Sequence, residues 1–228
     1  MDLKNRSDYE AAMARAVGRA LRQQFNIVMD ALGDSPSQDK LTPELFEAMQ
    51  KALQAAVRPT LERVYLDHVE ALTKEPPKRV KQGGIGIEWG IVNERAAEWA
   101  GRYSLSLAGQ VVNTTRNTLY KQVADYFKDE RTIKDLRDSL SGLFGPVRAD
   151  LIAQTEITRA ASEGERLFEE ELNKLGLVTT QIWQTERDDA VCPICGPRHG
   201  KKRGDGWEES PPAHGRCRCW VNTVVVND

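Results

Sequence analysis

All four cysteines and two of the three histidines of this chain fall in its last quarter, in the order Cys192-Pro193-Ile194-Cys195, His199, His214, Cys217-Arg218-Cys219. A C-x-x-C turn lets two thiolates close on one ion from a single loop, and zinc takes four sulfur or nitrogen ligands in a tetrahedron. The remaining ligands must return from a distant segment, which the run from Pro211 to Cys219 supplies. Cys192 and Cys195 are the firm pair. His214 follows at a normal return distance, and one or both of Cys217 and Cys219 complete the set. Residues two apart in an extended strand share a face but sit about 6–7 Å apart, so both bind one ion only if the chain turns at Arg218. We favour Cys192, Cys195, His214 and Cys217, with Cys219 as substitute and His199 as reserve nitrogen ligand. One structural zinc ion is therefore expected.

The rest of the chain is free of cysteine, unlike a disulfide-framed secreted domain, and a reducing cytoplasm is the natural setting. The amino terminus lacks an apolar run behind a basic start, and no stretch of about 18 apolar residues occurs, so a soluble, untargeted protein with no membrane partner is expected. With 32 basic and 34 acidic residues the chain has no global pull toward nucleic acid.

Before residue 176 the pattern is helical. Ser7-Asp8-Tyr9-Glu10 has the form of a capping box, and Met13, Val17, Leu21, Phe25, Val28 and Leu32 then make one apolar stripe ending before Gly33. Thr42-Pro43 opens a second stretch, where Pro59 predicts two helices or a kink. A packed or surface role is expected for His68, which lacks ligand partners at helical spacing. Residues 75–87, rich in proline, glycine and cations, read as a linker. Helical periodicity resumes from Trp89 to Lys128, with Asn113-Thr114-Thr115 as a point of interruption, and continues over 133–144. Val147 to Leu175 forms one helix stopped by Gly176, and Glu163, Glu165, Glu169, Glu170 and Glu171 read as its wet face. Val178–Thr185 and Trp220–Val226 alternate by two and are rich in β-branched residues, which predicts two strands flanking the knuckle.

The expected fold is mainly α with a small C-terminal β region, a helical bundle followed by a zinc-stabilised β knuckle. Residues 1–74 form a helical arm or hairpin, 75–87 the linker, 88–176 a helical core and 177–228 the knuckle. Such a thin β core needs a metal, because structural zinc couples binding to folding. Deaminase chemistry is disfavoured, since neither histidine precedes the Cys pair with a glutamate two residues on. A thioredoxin-like role lacks its helix behind the first cysteine.

The helix Ala153-Gln154-Thr155-Glu156-Ile157-Thr158-Arg159-Ala160, then Trp183 and Thr185, Asp189-Ala190-Val191-Cys192-Pro193-Ile194-Cys195, Gly200-Lys201, and Pro211-Pro212-Ala213-His214-Gly215-Arg216-Cys217-Arg218-Cys219 resemble, in that order, the phage Mu protein F-like head morphogenesis family. The resemblance covers roughly Trp89 to Val225 and departs where Gly215 replaces the family's proline. It implies a minor capsid protein of a tailed phage or prophage, in the head interior or at the portal vertex, and in the host cytoplasm during assembly. Its implied partners are the portal protein, other head proteins and packaged DNA, with no enzymatic activity and no small-molecule substrate. Toxin domains fused to the family domain in longer chains are not expected here, as the sequence ends just after the last strand. Arg198, Lys201, Lys202, Arg203, Arg216 and Arg218 surround the knuckle and could meet DNA or an acidic portal surface. The stripe from Met13 to Leu32 is expected to dock on the portal or a neighbouring copy. The competing expectation is a zinc-containing DNA-binding or nucleic-acid-processing module, with Glu186 or Asp189 near an open metal site.

Overall fold

The computed structural model describes residues 3, 5–75, 86–186 and 188–226. The protein is mainly helical, with one small antiparallel sheet near the C-terminus. Five α-helices, α1 (Arg6–Leu32), α2 (Pro43–Lys74), α3 (Trp89–Lys128), α4 (Ile133–Ser141) and α5 (Pro146–Lys174), precede strands β1 (Thr179–Gln184) and β2 (Trp220–Val225). No helix among the described residues is long and apolar enough to cross a membrane. The expected linker lies, for residues 76–85, outside the described residues.

Local chemistry explains most helix ends, with corrections. Helix α1 begins at Arg6, so Ser7 is already helical and is no cap. Asn5, at φ 59°, turns the chain into the helix, and its carbonyl accepts from the Asp8 amide. Pro43 stands at the first position of α2, with the Leu45 amide donating to the Thr42 hydroxyl. Pro59 does not divide α2. Nor do the threonines interrupt α3: the hydroxyls of Thr114, Thr115 and Thr118 donate to carbonyls four residues back and so compete little with the helix. Thr132 and Asp135 form a capping box at α4. Gly176, at φ 80°, ends the last helix, and the Leu177 amide turns back to the Leu172 carbonyl.

By contact the chain forms two compact units, and the grouping is not linear. One unit comprises Ala11–Pro59 and Trp99–Ala153. Its core includes Met13, Val17, Leu21, Val28 and Leu32, all fully buried, with Phe25 against Phe144 at 5.7 Å between ring centroids. The stripe expected to dock on a partner instead faces its own unit, with Phe25 as its one half-buried member. The Gln24 side chain donates to the Met49 carbonyl, and Arg148 donates to the Val111 and Leu143 carbonyls and the Thr115 hydroxyl.

The other unit comprises Met1–Glu10, Thr60–Glu98 and Gln154–Asp228 and contains every cysteine. Within it α5 packs on α2 at Gly164, where an added Cβ would lie 3.1 Å from the Tyr65 carbonyl and 3.4 Å from His68. Beside that contact His68 Nε2 meets Glu165 Oε2 at 3.0 Å, and the Thr223 amide of β2 donates to Glu165 Oε1 at 2.7 Å. Glu165 is only 1% exposed, so the acidic run is not simply a wet face. His68 is buried and packed, as expected.

Candidate metal centre

The knuckle hangs between two paired strands. β1 and β2 run antiparallel, with Thr179 opposite Val225 and Gln184 opposite Trp220. The returning chain lines the other edge of β1: Trp183 exchanges backbone hydrogen bonds with Gly200 and Lys201, and the Arg203 amide donates to the Gln181 carbonyl. This pairing covers an edge that two strands alone would leave open. Trp183, Trp207, Val221, Cys195, Cys217 and Cys219 form the small core beneath. The indoles of Trp183 and Trp207 meet edge to face at 5.3 Å, and Trp207 donates to the Lys201 carbonyl.

The C-x-x-C turn is closed by the Cys195 amide, which donates to the Cys192 carbonyl at 3.1 Å and lies 3.3 Å from its sulfur. His214 Nε2 stands 3.0 Å from Cys192 Sγ and 3.3 Å from Cys195 Sγ, while Cys195 Sγ is 3.9 Å from Cys217 Sγ. The donors form two triads that could hold a metal ion: Cys192, Cys195 and His214, and Cys195, Cys217 and Cys219, with all atoms of each within 4.8 Å of one another. Cys195 belongs to both. A cavity of about 20 Å³ is lined by Cys192, Cys195, His214 and Cys219 together with Glu186, Arg216 and Arg218.

Electrostatics fit a cation. His214 Nδ1 donates to the Gly215 carbonyl at 2.8 Å, which leaves Nε2 free to face the sulfurs. That bond raises the His214 pKa. The Cys219 thiol beside it pulls Cys217 down to about 5, whereas burial and the Cys217 charge push Cys195 up to about 12. The hydrogen bond to Cys217, together with burial, also raises Cys219. Thiols this close cannot all ionise by themselves, and a bound cation removes that conflict.

The chain matches no family model, no curated protein and no solved structure.

Several contacts position the Cys217-Arg218-Cys219 return. Thr158 of α5 donates its hydroxyl to the Cys217 carbonyl at 2.6 Å, and the Arg216 amide donates to the Thr155 hydroxyl at 2.9 Å. Arg216 takes a left-handed φ of 61°, a costly conformation for a side-chain-bearing residue, and this bond holds it there. Arg6 donates to the Thr158 hydroxyl and to the carbonyls of Cys217 and Arg218. Sequence reasoning assigned no role to Arg6 or Trp207. Thr155 and Thr158 were legible only as parts of a motif.

The other expected site residues divide. His199 belongs to neither triad, and its Nδ1 accepts from the Thr185 amide at 3.0 Å, so the reserve ligand is committed to the fold. Asp188 pairs with Arg218 through both carboxylate oxygens, at 2.7 and 2.8 Å. Arg198 lies over the Trp183 ring, while Arg203 lies over Trp207 and bonds Gln181 and Ser210. Lys201, Lys202 and Arg216 project as exposed side chains. Arg198, Arg203 and Arg218 therefore support the knuckle itself.

Proposed function

We propose that this chain is a minor head protein of a tailed phage or prophage, of the Mu F-like kind, whose C-terminal knuckle is closed by one structural zinc ion. The observation that carries the reading is the contact between two motifs far apart in the sequence. The helix around Gln154–Ala160 and the Pro211–Cys219 return, both parts of the resemblance, meet through Thr155 with Arg216 and Thr158 with Cys217. The contact supports reading the two motifs as parts of one fold.

Zinc fits the donors. With bonds of about 2.3 Å to sulfur and 2.0 Å to nitrogen, a tetrahedron has edges of about 3.8 Å between sulfurs and 3.5 Å between sulfur and nitrogen. The Cys195–Cys217 separation of 3.9 Å matches the first, while His214 Nε2, at 3.3 Å from Cys195 and 3.0 Å from Cys192, stands inside the second and would move outward as an ion enters. Cys192, Cys195 and His214 would hold the ion with a further thiolate from the Cys217–Cys219 return. The ion would join the two loops, and the ordered surface around it would serve portal docking. The DNA-binding reading has less support, because Arg198, Arg203 and Arg218 are occupied within the knuckle.

The test is native mass spectrometry of the chain co-expressed with the portal protein encoded beside it, before and after a zinc chelator. A one-zinc species bound to the portal ring and released by the chelator is expected. A metal-bearing monomer that ignores the portal would overturn the head-protein reading, and a metal-free protein would overturn the zinc assignment.

A further inference from the structure

The donors outnumber the positions of a four-coordinate ion. Cys192, Cys195 and His214 form one triad, and neither Cys217 nor Cys219 belongs to it. Both instead join Cys195 in the second triad, and both are buried. The two observations that would choose between them point opposite ways. Cys217 is the thiol found at 3.9 Å from Cys195 Sγ, whereas Cys219 is the one that lines a cavity together with Cys192, Cys195 and His214.

The backbone beneath the two thiols is fixed independently of either sulfur. The Cys217 carbonyl accepts from Thr158 and Arg6, the Arg218 carbonyl accepts from Arg6, and the Arg218 side chain is tied to Asp188. Both thiols lie within 4.8 Å of Cys195 Sγ and of each other, so either sulfur is near an ion held at Cys195 and a change of fourth ligand asks for side-chain rotation alone.

We propose that Cys217 and Cys219 are interchangeable fourth ligands of one ion, so that the centre has two coordination states sharing Cys192, Cys195 and His214. The proposal rests on the zinc reading above and deepens it. In the exchange, the sulfur–metal bond to one cysteine breaks as the bond to the other forms. The arriving thiol gives up its proton and the departing thiolate takes it. Coordination number, ligand chemistry and net charge are the same before and after, which is why neither state excludes the other.

The experiment uses the full chain, loaded with zinc, as the parent and as Cys217→Ser, Cys219→Ser and the double variant. Bound metal is counted by native mass spectrometry, and affinity is measured by competition with a chromogenic chelator. Each single variant is expected to keep one ion with an affinity within about tenfold of the parent, and the double variant to lose about a thousandfold or more. If one single variant loses the ion as completely as the double, the other cysteine is no substitute and the proposal fails. Two ions per parent chain would also overturn it, in favour of a pair bridged by Cys195. No ion in the parent would instead remove the zinc reading itself.

Because a variant can fail through misfolding, the parent is also loaded with cadmium and read by 113Cd NMR. Two resonances, or one broadened by exchange, are expected. A single sharp resonance that coincides with that of one serine variant would overturn the exchange.

Discussion

Thr158 donates its hydroxyl hydrogen to the Cys217 carbonyl across 2.6 Å, so the helix that carries one motif holds the backbone of a candidate metal ligand. The same hydroxyl accepts from Arg6, and the three groups form one partly buried chain of hydrogen bonds. The candidate metal centre is thereby built into its unit and does not stand as a free loop.

Thr158→Val keeps the shape of the side chain but removes both bonds. An unmet buried polar group costs about 1–3 kcal/mol, and outer contacts to a metal site typically change its affinity by about 10–100-fold. Urea unfolding and zinc competition on the same variant should show both losses. A variant with parental affinity would mean that the ion holds the return without help from α5.

Removing the metal with a chelator should expose the small core around Trp183 and Trp207, which shares its packing with Cys195, Cys217 and Cys219. Tryptophan emission is expected to shift to longer wavelength while most of the far-ultraviolet helical signal persists, because the unit of Ala11–Pro59 and Trp99–Ala153 contains no donor from either triad. Unchanged emission would show that the indole packing survives without the ion.

The His68–Glu165 pair gives an acid dependence. Burial by itself raises the Glu165 carboxyl, but the hydrogen bond and charge of His68 and the Thr223 amide reverse this and hold it below its ordinary 4.5. A depressed carboxyl stabilises the fold fully above its unfolded value and loses that contribution as pH falls through the folded value. Glu165→Gln should therefore flatten the decline in melting temperature between about pH 5 and pH 3. Parallel declines in parent and variant would assign the acid sensitivity elsewhere.

Gly164 is set by contact, as its missing Cβ makes room for the Tyr65 carbonyl and for His68. Gly164→Val should force α2 and α5 apart at a cost of about 1–3 kcal/mol. Thermal unfolding checks this, and a melting temperature equal to the parent's would show that the helices part freely.

Much of the architecture was legible because it depends on short-range rules. Thr42-Pro43 opened a helix, Gly176 closed one, and alternation after it marked two strands, since caps, φ preference and side-chain period act within a few residues. Ser7 misled because Asn5 turned the chain two residues earlier. The threonines of α3 misled because their hydroxyls found carbonyls inside the helix. The C-x-x-C turn and the return to His214 were readable from ligand spacing alone.

The helical body, the two strands and the set of candidate metal donors could be read from residue order, because all follow from local geometry and residue type. Only the tertiary structure decided that Arg6 and Thr158 hold the Cys217 backbone, that His199 binds Thr185 and that the Met13–Leu32 stripe is buried inside its unit. It also decided that Glu165 is buried against His68 while its neighbour Arg166 is exposed to water. Helical period places a carboxylate on a face of its helix, but whether that face meets solvent or a partner that compensates its charge depends on contacts from distant parts of the chain.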